Sequence, residues 1–300
     1  MSHDPTPEPP LAAPTPTAAQ PVPEVKGVFA SLIVATLAQL GSSCFVAAAY
    51  TPTGPVEGLT RDERLARMLA DPQFVVVSLV LAQAAVVLAL WKAPRRFESI
   101  PPGGMAARLG WSETAIRWRE VALVFAGTLA TGSIAIVPIK HLMKPGAGAL
   151  EALATTANEA SLSQFAVLLL VGAVIAGLVE ELLFRGLVMR RLVERWGPLK
   201  GVVVTAVLFG LWHLDLEQGL VAAALGLWLG VAALWTRSTV PGALAHIGNN
   251  LVSFLGSRLF EQHPEETEPL AFVVGVVVLA LCAWGLRRLT SRSAAPEVSR

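Results

Sequence analysis

Residues 178–191 read LVEELLFRGLVMRR. Two adjacent carboxylates, Glu180 and Glu181, and a guanidinium four residues on, Arg185, stand inside an apolar run that starts near Phe165. An apolar run of about 20 residues crosses a bilayer as a helix, because a helix satisfies its own backbone polar groups in lipid. A charged side chain at the bilayer centre costs about 2.5–3.5 kcal/mol on insertion scales. Three of them within one turn and a half are therefore either paired or put to use. This stretch sets the fold class as an all-α, polytopic transmembrane helical bundle, and it marks where function lies.

The rest of the chain agrees. Of 300 residues, 54% are hydrophobic and 15% charged, against about 25% charged in a soluble domain. The mean hydropathy is +0.59. The net charge of +1 says nothing about nucleic acid, but no basic cluster interleaved with aromatics appears, and no nucleic-acid partner is expected. Cys44 and Cys282 form no CxxC pair and no disulfide framework. Both read as small buried apolar residues. Residues 1–26, rich in Pro and Ala, lack the basic start and apolar core of a signal peptide and read as a disordered tail. A transmembrane domain follows over 27–290, with a catalytic core at about 160–260, and residues 291–300 form a C-terminal tail.

Eight segments fit membrane spans: 27–50, 74–91, 120–139, 164–189, 200–214, 218–235, 240–258 and 270–287. The fifth is short and the seventh is rich in glycine and polar groups, so both are expected to be shielded by neighbours. Most Lys and Arg fall at the N-terminus, in the 92–119 loop, in the 190–200 turn, at Arg237 and in the tail. That bias orients the chain with both termini in the cytoplasm. Trp111 and Trp118, flanking an interfacial loop at 98–111, suit an anchor at headgroup level.

Helical spacing separates the buried charges. Glu181 and Arg185, four apart, share a face and can pair. Glu180 lies about 100° away around the axis and has no partner on its own helix. Only five histidines exist; His3 is in the tail, and His141 and His263 read as loop residues. His213, in LFGLWHLD, and His246, in LAHIGNNLVSF, lie inside spans. Phe209 stands one turn before His213, and Asn250 one turn after His246, with Asn249 on a neighbouring face. At about 1.5 Å of rise per residue, Glu180, His213 and His246 all sit roughly 14–20 Å from the nearest basic residue at the cytoplasmic edge. They can meet at one depth. GLWLG (226–230) is a small-xxx-small packing motif.

A carboxylate, two imidazoles and an amide suit hydrolysis of an amide bond. The carboxylate takes a proton from water, and His and Asn donate to the developing oxyanion. There is no GxSxG and no HExxH. Glu180, His213 and His246 are also candidate zinc ligands with one position left for water. The residues alone allow either a metal-bound water or a water activated by Glu180.

The motifs EELLFR (180–185), FGLWH (209–213) and HIGNN (246–250) match EExxxR, FxxxH and HxxxN in that order. The chain thereby resembles the CAAX prenyl protease and bacteriocin-processing (CPBP or Abi) intramembrane endopeptidases over about residues 160–260. That resemblance implies Glu180 as the water-activating residue assisted by His213, with His246 and Asn250 on the oxyanion. Glu181, Arg185 and Phe209 support the site. The family has been described both as metalloproteases and as glutamic proteases, so zinc is an expected cofactor under one description only. The implied partner is a membrane-associated peptide or protein in a lipid bilayer, cut near its C-terminus or membrane segment, and the implied location is a bacterial inner membrane. Two rivals remain. A non-catalytic scaffold or bacteriocin self-immunity protein of the same fold would not need Glu180, His213 and His246 together. A proton-coupled transporter also buries Glu and His, but internal inverted repeats are not evident.

Overall fold

A computed structural model describes residues 25–50, 58–60, 63–64, 67–68, 71–97, 104–111, 116–142, 149–259 and 268–293. Most of the N-terminal tail, the acidic 261–267 loop and the end of the C-terminal tail fall outside them. The described residues form helices and no strand. These are α1 (Val25–Ala49), α2 (Pro72–Phe97), α3 (Gly104–Arg108), α4 (Trp118–Leu142), α5 (Ala149–Glu159), α6 (Leu162–Trp196), α7 (Pro198–Trp212), α8 (Leu216–Thr236), α9 (Val240–Leu259) and α10 (Glu268–Ser293).

Every apolar segment expected to span appears as a helix. Five of them, α1, α4, α6, α8 and α10, are long and apolar enough to cross a membrane, so the chain is an integral membrane protein. The apolar part of α2 is shorter, as is α7, which has 15 residues. Like α2 and α7, α9 is not among the five, consistent with its glycine and polar content. The short amphipathic α5 was not expected. Its end is pinned by Arg258 of α9, which donates to the carbonyls of Ala157 and Ala160 at 2.8 and 2.9 Å.

Local chemistry sets the boundaries around the site. Ser161 caps α6 in a reciprocal box: Gln164 N–H donates to its hydroxyl, and Ser161 N–H donates to the Gln164 side chain. Gly197, at φ 83°, reverses the chain, and Pro198 opens α7 at once. Asp215 caps α8 by accepting from Gln218 N–H at 2.8 Å. Within α6, residues Leu169–Ile175 and Leu182–Met189 are π-helical, flanking the two-carboxylate turn Ala176–Glu181. Wide turns of this kind recur at functional sites because they release a carbonyl from the regular ladder.

The helices approach closely through glycine. Gly226 and Gly230 of α8 face Ala206 and Val202 of α7, as the small-xxx-small reading requires. Lower in the same seam Gly210 meets Gly219, where a Cβ on Gly210 would stand 2.5 Å from the Gly219 carbonyl oxygen. A Gly210→Val variant must force this seam apart. Overpacking typically costs about 1–3 kcal/mol. The expected result is a clear drop in melting temperature of the detergent-solubilised protein; an unchanged melting temperature would show that α7 and α8 do not cross here.

Three expectations are corrected. Cys44 is exposed on α1 while Cys282 is buried, because α1 turns a broad face away from the bundle. His141 is not in a loop but in the last turn of α4, its Nε2 3.8 Å from the Glu268 carboxylate at the start of α10. His213 is not inside its helix. It is the residue on which α7 ends, and Leu214 beyond it takes a left-handed φ of 57°. The interfacial segment is tied down: Arg190 donates to Ala107 O at 2.9 Å, and Thr239 donates to Gly110 O and Leu109 O. Trp111 and Trp118 remain exposed at this end.

Candidate active site

The centre of the bundle is a buried ion pair. Arg185 Nη1 donates to Glu181 Oε1 at 2.7 Å, and both side chains are fully buried. The same guanidinium donates through Nη2 to the Gly226 carbonyl of α8 at 3.2 Å and lies over the Phe209 ring of α7 at 4.6 Å. One side chain of α6 thus engages α7 and α8 together. Gly242 of α9 leaves room for the carboxylate: a Cβ there would stand 3.0 Å from Glu181 Oε2.

His246 closes the site from α9. It is buried, with Nδ1 3.2 Å from Glu181 Oε1 and Nε2 3.9 Å from Glu180 Oε2. The two glutamates leave α6 about 100° apart, yet their long side chains converge on one imidazole. Glu181 was read from sequence only as the partner of Arg185; its second role, holding His246, comes from an interhelical contact that no spacing within one helix reveals. Because a carboxylate only accepts, the hydrogen shared with Glu181 belongs to His246 Nδ1. That fixes the ring and turns Nε2 toward Glu180.

Phe209 is the hub between the two histidines. Its ring meets His213 edge-on at 5.0 Å and His246 edge-on at 5.8 Å between centroids. His213 is half-buried, and its Nδ1 lies 2.9 Å from the Phe209 carbonyl, one of those the end of α7 leaves open. A carbonyl can only accept, so Nδ1 carries the hydrogen and the neutral ring keeps a lone pair on Nε2.

Asn250, one turn beyond His246, donates to Gly172 O at 3.4 Å and accepts from Asn249 Nδ2 at 3.3 Å. Gly172 lies in the first π-helical segment. Sequence reasoning had no means of finding this contact or the Gly226 carbonyl, since a backbone acceptor carries no residue-type signal.

Metal ligation is a separate matter. Among the described residues, no group of three or more His, Cys, Asp or Glu side chains is placed to hold a metal ion. Glu180, His213 and His246 are therefore not drawn up as the three-ligand zinc set that their residue types allow.

Residues 162–252 match the family described as Type II CAAX prenyl endopeptidase Rce1-like. The match covers all three motifs and under a third of the chain. The resemblance to the CPBP endopeptidases, a protease family, holds over this core. No curated protein and no solved structure matches the chain significantly.

Proposed function

We propose that the protein is an intramembrane endopeptidase that cleaves a peptide bond of a membrane-associated peptide or protein, with a water activated by Glu180. The observation that carries this reading is the pair of carboxylates on His246, one in hydrogen-bonding contact and the other 3.9 Å away. A separation of that size suits a water held by both Glu180 and His246 rather than a direct bond.

Charge supports the same assignment. Glu180, Glu181 and Arg185 together would leave one net negative charge in a buried place, which is costly without compensation. One proton, held by Glu180 or His246, balances the cluster. With that proton on His246, Glu180 is the base and Nε2–H is a donor. Glu180 takes a proton from water as the water oxygen attacks the scissile carbonyl carbon. The carbonyl oxygen becomes an oxyanion and accepts from His246 Nε2–H and from the Asn250 amide. Glu180 then returns its proton to the leaving nitrogen as the C–N bond breaks. His213, with a free lone pair on Nε2, assists by accepting from the water. Arg185 and Glu181 touch no reacting atom in this scheme; they hold His246.

The length of α7 supports access of water. At about 1.5 Å per residue its 15 residues reach about 22 Å, short of the ~30 Å hydrocarbon core. Irregular backbone after it, at His213 and Leu214, is tolerated at membrane depth only where it is shielded by protein or faces water. The basic bias of the loops favours both termini in the cytoplasm, and the inner membrane of a bacterium is the proposed location.

The test is a comparison of peptide termini in membranes of cells with the intact gene and of cells lacking it. Uncut precursors that accumulate only in the deletion, and mature termini restored by the wild-type chain, are expected. Identical peptide sets in the two membranes would remove the peptidase reading.

A further inference from the structure

On the side of the bundle where α4 begins and α8 and α10 end, an open cavity of about 520 Å³ lies away from the candidate active site. Its walls include Arg117, Arg237, Arg287, Trp235, Thr290 and Ser291. We propose that it binds the phosphate of an anionic phospholipid headgroup, with the acyl chains lying along the exposed apolar face of α10. This goes beyond the peptidase reading and does not depend on it.

The charges point to an anion. Arg117 has a carboxylate partner, Glu120 at 3.1 Å. Among the described residues no carboxylate is paired with Arg237 or Arg287. Two guanidiniums facing one cavity repel each other unless an anion sits between them. Guanidinium is the side chain best shaped for a phosphate, which it can grip with two parallel N–H bonds.

The backbone gives an independent sign. Arg237 caps α8 with φ 54° and ψ 25°, in the left-handed region that favours Gly or Asn. A long side chain there is an uncommon choice, and such positions cluster at ligand clamps. Position identifies the anion as a lipid rather than a soluble ion. All three helices are long and apolar enough to span, so their ends stand at headgroup level. A second depression of about 430 Å³, sharing Arg287 and Ser291, continues the cavity to Arg288 and Trp284. Arg288 stacks on the Trp284 ring at 4.2 Å. Above Trp284 on α10, Leu281, Val277 and Val274 are exposed in sequence toward the bilayer centre. A basic pocket between helices that opens onto an apolar stripe matches both halves of a phospholipid.

The experiment uses the full chain, purified in detergent and stripped of lipid. Native mass spectrometry and thermal shift are read against dioleoyl phosphatidylglycerol, dioleoyl phosphatidylcholine and inorganic phosphate. Phosphatidylglycerol is expected to bind and stabilise, well ahead of the other two. Each basic residue near an anionic headgroup contributes about 1 kcal/mol, so the Arg237→Asn/Arg287→Gln double variant should bind about 25-fold more weakly and Arg287→Gln alone about 5-fold. Asn keeps the left-handed conformation available at 237. Should the double variant fail to fold, Arg287→Gln, on an exposed face of α10, carries the test. Lys200→Gln removes an equal charge from an exposed position outside the cavity and should bind like wild type. Equal binding of phosphatidylcholine, equal weakening in Lys200→Gln, or stabilisation by inorganic phosphate at matching concentration would each overturn the proposal. The last outcome would make the cavity a site for free phosphate.

Discussion

Glu180→Gln will lower cleavage of a membrane-embedded reporter peptide by about 10³-fold, the middle of the range for loss of a positioned general base, while the protein keeps its fold. Gln matches Glu in volume and keeps an acceptor oxygen, so packing against α9 is preserved. What disappears is the charge proposed to accept a proton from water. Stability should change little, because among the described residues Glu180 has no intrahelical partner and its only ion-pair contact is the 3.9 Å approach to His246 Nε2. If anything, removing one of two neighbouring carboxylates eases the burial of net negative charge. The measurement is single-turnover cleavage in proteoliposomes, paired with a melting curve of the same preparation. Near-normal turnover with an unchanged melting curve would take Glu180 out of the reaction. Loss of both together would make it a structural residue.

The parts of the molecule that were legible in the sequence share one property: they are set within a single segment. Long apolar runs placed every spanning helix, because a bilayer gives a chain few alternatives. The i, i+4 spacing of Glu181 and Arg185 gave their pair for the same local reason. Contacts between helices were not legible. Glu181 reaching His246, Arg185 reaching the Gly226 carbonyl and Asn250 reaching the Gly172 carbonyl depend on how α6, α8 and α9 rotate about their axes. The two π-helical segments of α6 shift that rotation, and no residue pattern announces them. His213 ends α7 because the chain must turn before Asp215 caps α8, and the apolar run gave no sign of this. Cys44 failed as a core residue because α1, at the edge of the bundle, presents apolar side chains outward as well as inward. In a membrane, an apolar residue is not thereby a buried one.

Arg185→Ala will cost about 3–5 kcal/mol, the usual penalty for breaking a buried pair from one side, and cleavage will go with it. The single change leaves Glu181 buried without its guanidinium partner, removes the added hydrogen bond to the Gly226 carbonyl and empties the space over the Phe209 ring. Low membrane expression and early loss of the monodisperse peak on heating are expected. A stable but inactive Arg185→Ala protein would show that the pair does not hold the helices together. A second variant separates packing from chemistry. Glu181→Leu/Arg185→Met replaces both charges with apolar groups of similar size, a change that is often neutral or stabilising for buried pairs. Thermal stability should return to near the wild-type value. Activity should not, because His246 Nδ1 loses the carboxylate that fixes its hydrogen and aims Nε2 at Glu180. The remaining deficit should appear in the rate of the chemical step, with substrate binding little changed, and its pH profile should differ from that of the wild type. Full recovery of turnover in the double variant would mean that the packing of α9 alone positions His246. The buried ion pair would then serve assembly of the bundle and nothing in the reaction.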